Sequence, residues 1–310
     1  MISRTEIQDA GRRIATHVRR TPILALEEKA FGIDARVFFK LECLQHAGSF
    51  KPRGAFNCIL SSKIGEAGVI AASGGNHGAA VAYAAHKLGH RAEIFVPVIT
   101  PQNKVDRLRQ YGAAITITGN SYSEALAASK ERALETNAVA IHAYDDARVL
   151  AGQGTLGMEL EEQVRGLDSV LIAVGGGGLI GGVAAWYQDR VRVIAVEPER
   201  APTLHKALAA GRVVDVEVGG VAADSLGAGR VGELMFPIAQ KFVSQSLLVS
   251  DDQIIEAQRT LWQQLRLIAE PGGATAFAAL ICGVYKPHPG ERVGVVLCGS
   301  NADLEKFPRS

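Results

Sequence analysis

Short apolar runs alternate with helical stretches through most of this chain, and that alternation limits the fold more than any other feature. Runs at 69–72, 93–97 and 114–118 are each followed by a helical segment, at 78–88, about 101–111 and about 122–135. A run at 138–142 comes next. Further on, the run at 169–173 precedes a helix over 180–188, and the run at 191–196 precedes one near 204–209. A run at 245–249, helices over 251–268 and 273–285, and a last run at 293–297 complete the pattern. Gly89 closes the first helix and Pro101 opens the second. Apolar runs bounded by helices predict strands buried on both faces, so the expected fold is α/β with parallel sheets in αβα layers. Counting β–α steps permits a middle unit at roughly 52–142, although no break in composition marks it.

Composition narrows the function. The 310 residues carry a net charge of +1 with Lys and Arg scattered rather than striped, so no nucleic-acid partner is expected. Four cysteines, at 43, 58, 282 and 298, form no CxxC pair and suit a reducing compartment. The first residues lack the apolar core of a signal peptide, and no run is long enough for a membrane span. The expectation is a soluble, cytoplasmic protein acting on a small molecule.

Three motifs carry the chemistry. In Gly48-Ser49-Phe50-Lys51-Pro52-Arg53-Gly54 a lysine stands where a strand at 37–41 gives way to a helix. A lysine desolvated there can lose its proton and form a Schiff base with an aldehyde cofactor. Gly175-Gly176-Gly177-Gly178-Leu179 lies between a buried strand and a helix, where uncovered N–H groups can curl around a phosphate. No Lys-Ser/Thr pair follows, which argues against a nucleoside triphosphate. Read in a loose register through Gly182, the loop could still serve a dinucleotide, with Glu197 as the ribose-binding acid. Ser73-Gly74-Gly75-Asn76-His77-Gly78 makes a second anion nest, sized for a carboxylate, with alanines behind it for close helix packing. Pyridoxal phosphate accounts for all three: an aldehyde for Lys51, a phosphate for Gly175 to Gly178, and a ring gripped from its sides.

With these motifs the chain resembles the fold-type II pyridoxal-phosphate enzymes, specifically the threonine/serine dehydratase and serine racemase group. The likeness begins at Thr21-Pro22-Ile23 and runs through Phe39-Lys40-Leu41-Glu42 and Ala151-Gly152-Gln153-Gly154-Thr155. It continues with Val196-Glu197-Pro198 and Glu270-Pro271, and ends at Leu297-Cys298-Gly299-Ser300-Asn301. The resemblance implies the tryptophan synthase β-like architecture: a large domain of residues 1–51 and 143–310, a small inserted domain of residues 52–142, and the cofactor in the cleft between them. It also implies a homodimer. Lys51 matches the cofactor-bearing lysine and general base; Phe50 and Asn76 match positions flanking the ring, with Asn76 bonding its phenolic oxygen. Gly175, Gly176, Gly177, Gly178 and Leu179 match the phosphate cup. Ser73, Gly74, Gly75 and His77 match the loop for the substrate carboxylate. Cys298 matches the position near the pyridine nitrogen, with Ser300 or Asn301 close behind.

Departures from the group's patterns sharpen the expectation. Racemases carry a serine where Gly74 stands, and cysteine-synthesising relatives a threonine where His77 stands; threonine synthases usually have an aspartate in place of Pro52. Glu197 matches one acid of the racemases' metal site but Thr203 replaces the other, so a metal requirement is uncertain and no metal-binding residue is assigned. The chain ends soon after Asn301, so no C-terminal regulatory domain is expected. A thiol at 298 is no counter-ion for the pyridine nitrogen, which suits elimination better than transamination.

The expected activity is pyridoxal-phosphate-dependent loss of water and ammonia from L-threonine or L-serine. The alternatives are an amino-acid racemase, a dehydratase of a bulkier 3-hydroxy amino acid, a dinucleotide-dependent oxidoreductase and a non-catalytic cofactor-binding protein. Residues 151–154 and 222–227, with Ser225 among them, are the expected walls of the substrate pocket.

Overall fold

A computed structural model describes residues 1–305 and 307–308. The chain opens with α1 (Arg4–Ile14), β1 (Ile23–Ala25), β2 (Ala35–Lys40) and α2 (Lys51–Leu60). Next come β3 (Val69–Ala72), α3 (Asn76–Lys87), β4 (Ala92–Val96), α4 (Gln102–Gln110), β5 (Ala114–Ile117), α5 (Tyr122–Thr136) and β6 (Val139–Ala140). The remainder holds α6 (Ala147–Gln163), β7 (Ser169–Ala173), α7 (Gly178–Tyr187), β8 (Arg192–Pro198), α8 (Thr203–Ala210), α9 (Ala223–Leu226) and α10 (Phe236–Phe242). Then follow β9 (Val243–Val249), α11 (Asp251–Leu265), α12 (Pro271–Ile281) and β10 (Glu291–Val296).

Two sheets result. One has six strands in the order β1-β2-β10-β7-β8-β9; the other has four in the order β5-β4-β3-β6. All neighbouring strands pair in parallel except β1, whose Ile23 lies opposite Lys40 in an antiparallel edge pair with β2. The four-stranded sheet is drawn entirely from residues 69–140, inside the segment that step-counting singles out. Buried residues of this sheet and its helices, such as Ile94 of β4, Val81 of α3 and Leu108 of α4, form a core separate from that of the six-stranded sheet. Ile14 of α1 and Val149 of α6 join this smaller core from outside the segment. Among the described residues no helix is long and apolar enough to cross a membrane.

Five elements lie outside the strand–helix pattern read from sequence: α1, β1, α6, α9 and α10. A capping box starts α1: the Ser3 hydroxyl accepts from Glu6 N–H, while the Glu6 carboxylate accepts from Ser3 N–H at 2.8 Å. Its buried residues Ile7, Ala10 and Ile14 recur at helical spacing. The glycines of α6 weaken any helix prediction, but they serve contact. Cβ atoms at Gly154 or Gly182 would run into the facing helix, so α6 and α7 approach at backbone distance. That packing corrects the expectation for residues 151–154, which are buried between helices and line neither of the two cavities that contain Lys51.

One polar feature breaks the apolar interior. Arg53, in the first turn of α2, donates to both carboxylate oxygens of Glu42 at 2.8 and 2.7 Å and to Glu159 of α6 at 2.9 Å. Glu159 also accepts from the Lys40 ammonium at 2.5 Å, which in turn donates to Thr21 O and Gln163 Oε1. All four charged groups are buried, Arg53 with 1% of its surface exposed. Two cations and two carboxylates balance, and nearly every donor finds an acceptor, which such burial requires. We expect Arg53→Ala to lower the unfolding free energy by about 3–5 kcal/mol, because it leaves the Glu42 carboxylate in the interior without its cation and two carboxylates to share Lys40. Urea denaturation followed by circular dichroism measures this, and a loss below about 1 kcal/mol contradicts it.

Candidate active site

The carboxyl ends of β3, β6, β7 and β10 converge on one cleft, where open α/β sheets bind ligands. Two one-turn helices, Glu42–Leu44 and His46–Gly48, carry the chain from β2 to Lys51, the first residue of α2. Phe50 N–H donates to Cys298 O at 3.1 Å, and Ser49 bridges Gly299, so the lysine is stitched to the end of β10. Lys51 Nζ donates to Ala143 O at 2.9 Å. Burial pulls its ammonium down from the ordinary lysine range to about 8, while the Cys298 and Glu270 side chains pull it back up. A sizeable fraction is therefore free amine near neutral pH, as a nucleophile or base needs.

The glycine loop forms a cradle. Gly177 adopts φ +87° as N-cap of α7, and a Cβ there would meet Met235 Cε at 2.5 Å. Side chains at Gly176 and Gly178 would collide with Tyr144, and one at Gly175 would lie 3.0 Å from Leu226 Cα. Among the described residues the amide N–H groups of Gly175 to Gly178 have no hydrogen-bond acceptor. Unpaired amides at a helix N-terminus, kept bare of side chains, fit a phosphate group.

A narrow cavity of about 40 Å³ runs from this cradle past Leu179, Phe50, Lys51 and Asn76 to Glu270 and Cys298. It shares Lys51, Asn76, Tyr144 and Gly176 with a larger cavity of about 340 Å³, lined also by Ser73, Gly74, Gly75, His77 and Thr100. Residues 223–229 form its other wall, in keeping with the pocket expected at 222–227. Lys104 of α4 and Asp224 of α9, 2.9 Å apart, join the two sides of this cavity.

Burial sets the state of the remaining side chains. His77 Nε2–H donates to Ile141 O at 2.9 Å, and burial holds its imidazole down at about 3, so it is neutral and anchors α3. Cys298 Sγ–H donates to Gly272 O at 3.4 Å, and burial pushes its thiol far above the ordinary range. Asn76 donates to Glu270 at 2.5 Å and accepts from Asn301 at 2.6 Å, leaving one amide N–H for a ligand. Glu270, N-cap of α12, is raised by burial to about 7, against the Asn76 hydrogen bond and the charges of Arg107 and Lys104.

Of the residues singled out in sequence, Ser300, Asn301, Glu197 and Thr203 line neither of these cavities. The Ser300 hydroxyl donates to Cys43 O at 2.9 Å and lies against Gly48 O, so it fastens the turns ahead of Lys51 instead of facing a ligand. Glu197 does not reach the glycine cradle either. Its buried carboxylate accepts from Leu204 N–H and His205 N–H at 2.6 and 2.7 Å, capping α8, which removes it as a ribose acid. The Thr203 hydroxyl donates to Ala228 O. Among the described residues no group of three or more His, Cys, Asp or Glu side chains is placed to hold a metal ion. Tyr144 and Thr100, absent from the sequence reading, line the cavities; nothing in their local sequence marks them. Glu270 is read there only as part of a motif.

The profile of the family described as pyridoxal-phosphate dependent enzyme matches residues 14–299. This chain belongs to that family. Its cofactor is pyridoxal phosphate, for which the glycine cradle and a lysine with lowered proton affinity are suited. Over 98% of this chain and 77% of the relative, the sequence is 37% identical to an L-threonine ammonia-lyase of Geobacter sulfurreducens. It is 36% identical to a serine racemase of Arabidopsis thaliana, covering 96% of this chain and 92% of that one. The structure of maize serine racemase superposes with a TM-score of 0.93 at 34% identity, over 98% and 94% of the two chains. The fold is thus that of the tryptophan synthase β-like enzymes.

Two expectations test the site. The rate at which apoprotein captures pyridoxal phosphate covalently should rise with pH through about 8, well below the ordinary lysine range; stopped-flow absorbance across pH 6 to 10 measures it. Lys51 loses its proton on that rise, so the sign is fixed: faster above, slower below. Gly177→Asp places a carboxylate and a strained backbone in the cradle, a cost of several kcal/mol at a modest effective dielectric, ~20. Cofactor affinity should fall by at least a hundredfold in a fluorescence titration, and unchanged affinity removes the phosphate assignment.

Proposed function

We propose that this enzyme removes the β-hydroxyl and the amine of a small β-hydroxy amino acid, L-threonine or L-serine, giving a 2-oxo acid and ammonia. Pyridoxal phosphate, when bound, supplies the aldehyde and the electron sink for this chemistry. The phosphate would sit on the amides of Gly175 to Gly178, with Leu179 and Phe50 beside the ring and the free N–H of Asn76 on its phenolic oxygen. The N-terminus of α3, with Ser73, Gly74 and Gly75, would receive the substrate carboxylate. Lys51, displaced from the cofactor by the substrate amine, would take the α-proton as general base; its lowered proton affinity keeps part of it free to do so.

The observation that carries the reading is Cys298. Its thiol is buried, remains protonated and is committed as donor to Gly272 O. It offers no negative charge to hold a ring nitrogen protonated. A site without that counter-charge stabilises an α-carbanion poorly, and departure of the β-hydroxyl discharges it at once. Gly74, bare of any acid or base, agrees. Similarity to threonine ammonia-lyase supports the reading, and similarity to serine racemase sets the competing outcome.

The test follows pyruvate and D-serine together from L-serine. Pyruvate should lead by at least tenfold; D-serine appearing as fast would replace the lyase by a racemase. Lys51→Ala should give no oxo acid and hold the cofactor only non-covalently, as shown by loss of the band that borohydride abolishes. Retained turnover with that band intact would assign the wrong lysine.

A further inference from the structure

Gly74 is a glycine for want of room, not for want of backbone freedom. It is absent from the positive-φ positions, so an L residue could adopt its conformation. A Cβ there would meet Thr100 Cγ2 at 2.7 Å and Thr100 Oγ1 at 3.3 Å. The space beside the loop at the mouth of α3 is already filled by a threonine from another strand connection. Gly74→Ser, an obvious route to a second acid/base, is therefore blocked by a neighbour.

Thr100 is well held. It lies between Pro97 and Pro101, its N–H donates to Pro97 O at 3.0 Å, and Val98 N–H donates to Gly119 O at 2.9 Å. Its half-buried side chain lines the larger cavity with Lys51, Ser73 and Asn76. Most other hydroxyls on that wall are engaged. Ser73 Oγ accepts from Gly75 N–H, Ser225 Oγ from Gly272 N–H, and the Tyr144 hydroxyl donates to Arg230 O. Among the described residues the Thr100 hydroxyl has no partner, nor does that of Tyr122, whose residue is 46% exposed. A hydroxyl on a rigid turn, beside the carboxylate-sized loop and without an internal partner, is preorganised for a ligand.

We propose that Thr100 contacts the bound amino acid: its hydroxyl hydrogen-bonds the substrate, and its methyl group shapes the wall that Gly74 leaves open. The proposal rests on the reading of this cavity as an amino-acid site. It makes Thr100 and Gly74 one coupled determinant of specificity.

The test uses holoenzyme. L-serine and L-threonine are titrated against the cofactor's absorbance, and steady-state rates are measured alongside, in Thr100→Val and Thr100→Ser. Valine keeps the shape and removes the hydroxyl; serine keeps the hydroxyl and removes the methyl. A neutral hydrogen bond corresponds to roughly three- to tenfold in affinity, so Thr100→Val should raise Kd and KM by about that factor. Thr100→Ser should retain most of the affinity, and the ligand-free spectrum should be the same in both. The reverse pattern, valine silent and serine impaired, would overturn the proposal by leaving only packing, and so would two silent variants. Gly74→Ala should cut kcat/KM by tenfold or more, and Thr100→Ser in that background should recover most of it. No recovery would overturn the coupling. The absorbance titration reads binding whatever the product is, so the lyase assignment can fail while the Thr100 pattern stands.

Discussion

The ion cluster around Arg53 fixes the part of the molecule on which everything else relies. Its bidentate grip on Glu42 and its bond to Glu159 join the exit of β2, the start of α2 and the middle of α6. Lys51 stands two residues ahead of Arg53, so the same contacts set the height and rotation of the turn that presents the lysine. A hydrophobic anchor of equal volume could match the stability, but it would not prescribe direction as a guanidinium fork does. Directional fixing matters here because Lys51 shares a narrow cavity with a different element, the cradle at the start of α7, and in the proposed function both would grip one ligand.

Low polarity is the second organising constraint. Lys51, Glu270, His77 and Cys298 are buried at the cleft, and burial pushes each of them toward its neutral form. Lys51 loses its charge readily, Glu270 gains a proton readily, His77 stays neutral and Cys298 stays a thiol. The fixed positive ends of α3 and α7 are then left to orient anions. Helix dipoles and bare amides supply field where side-chain charges are suppressed, and they do so without reorganising.

Much of this was legible in the sequence because it repeats along the chain or is chemically conspicuous. Parallel strands buried on both faces write themselves as apolar runs, and a four-glycine loop between strand and helix has few other uses. The two sheets, the cradle and the lysine follow from such signals. What escapes is whatever depends on distant partners. The helix α6 is rich in glycine because it packs against α7, a reason invisible from within residues 147–163. Glu270 has its effect through Asn76, and Thr100 through Gly74, across separations that no local pattern encodes. Ser300 errs the other way: it stands two residues from Cys298 in a motif, but both lie beyond the end of β10, and its hydroxyl turns to the backbone of Cys43.

The chain of contacts through Asn76 has a mechanical consequence. Asn76 begins α3 on the four-stranded sheet, whereas Glu270 and Asn301 flank elements of the six-stranded one. One amide thus rivets the two halves together while offering its last N–H to the ligand. Any hinge motion that widens the cleft must stretch or break this joint, and in doing so it would withdraw the amide that the proposed function sets against the ring. Opening for exchange and disarming of the site are then a single movement, which leaves little opportunity for the open form to react with whatever drifts in.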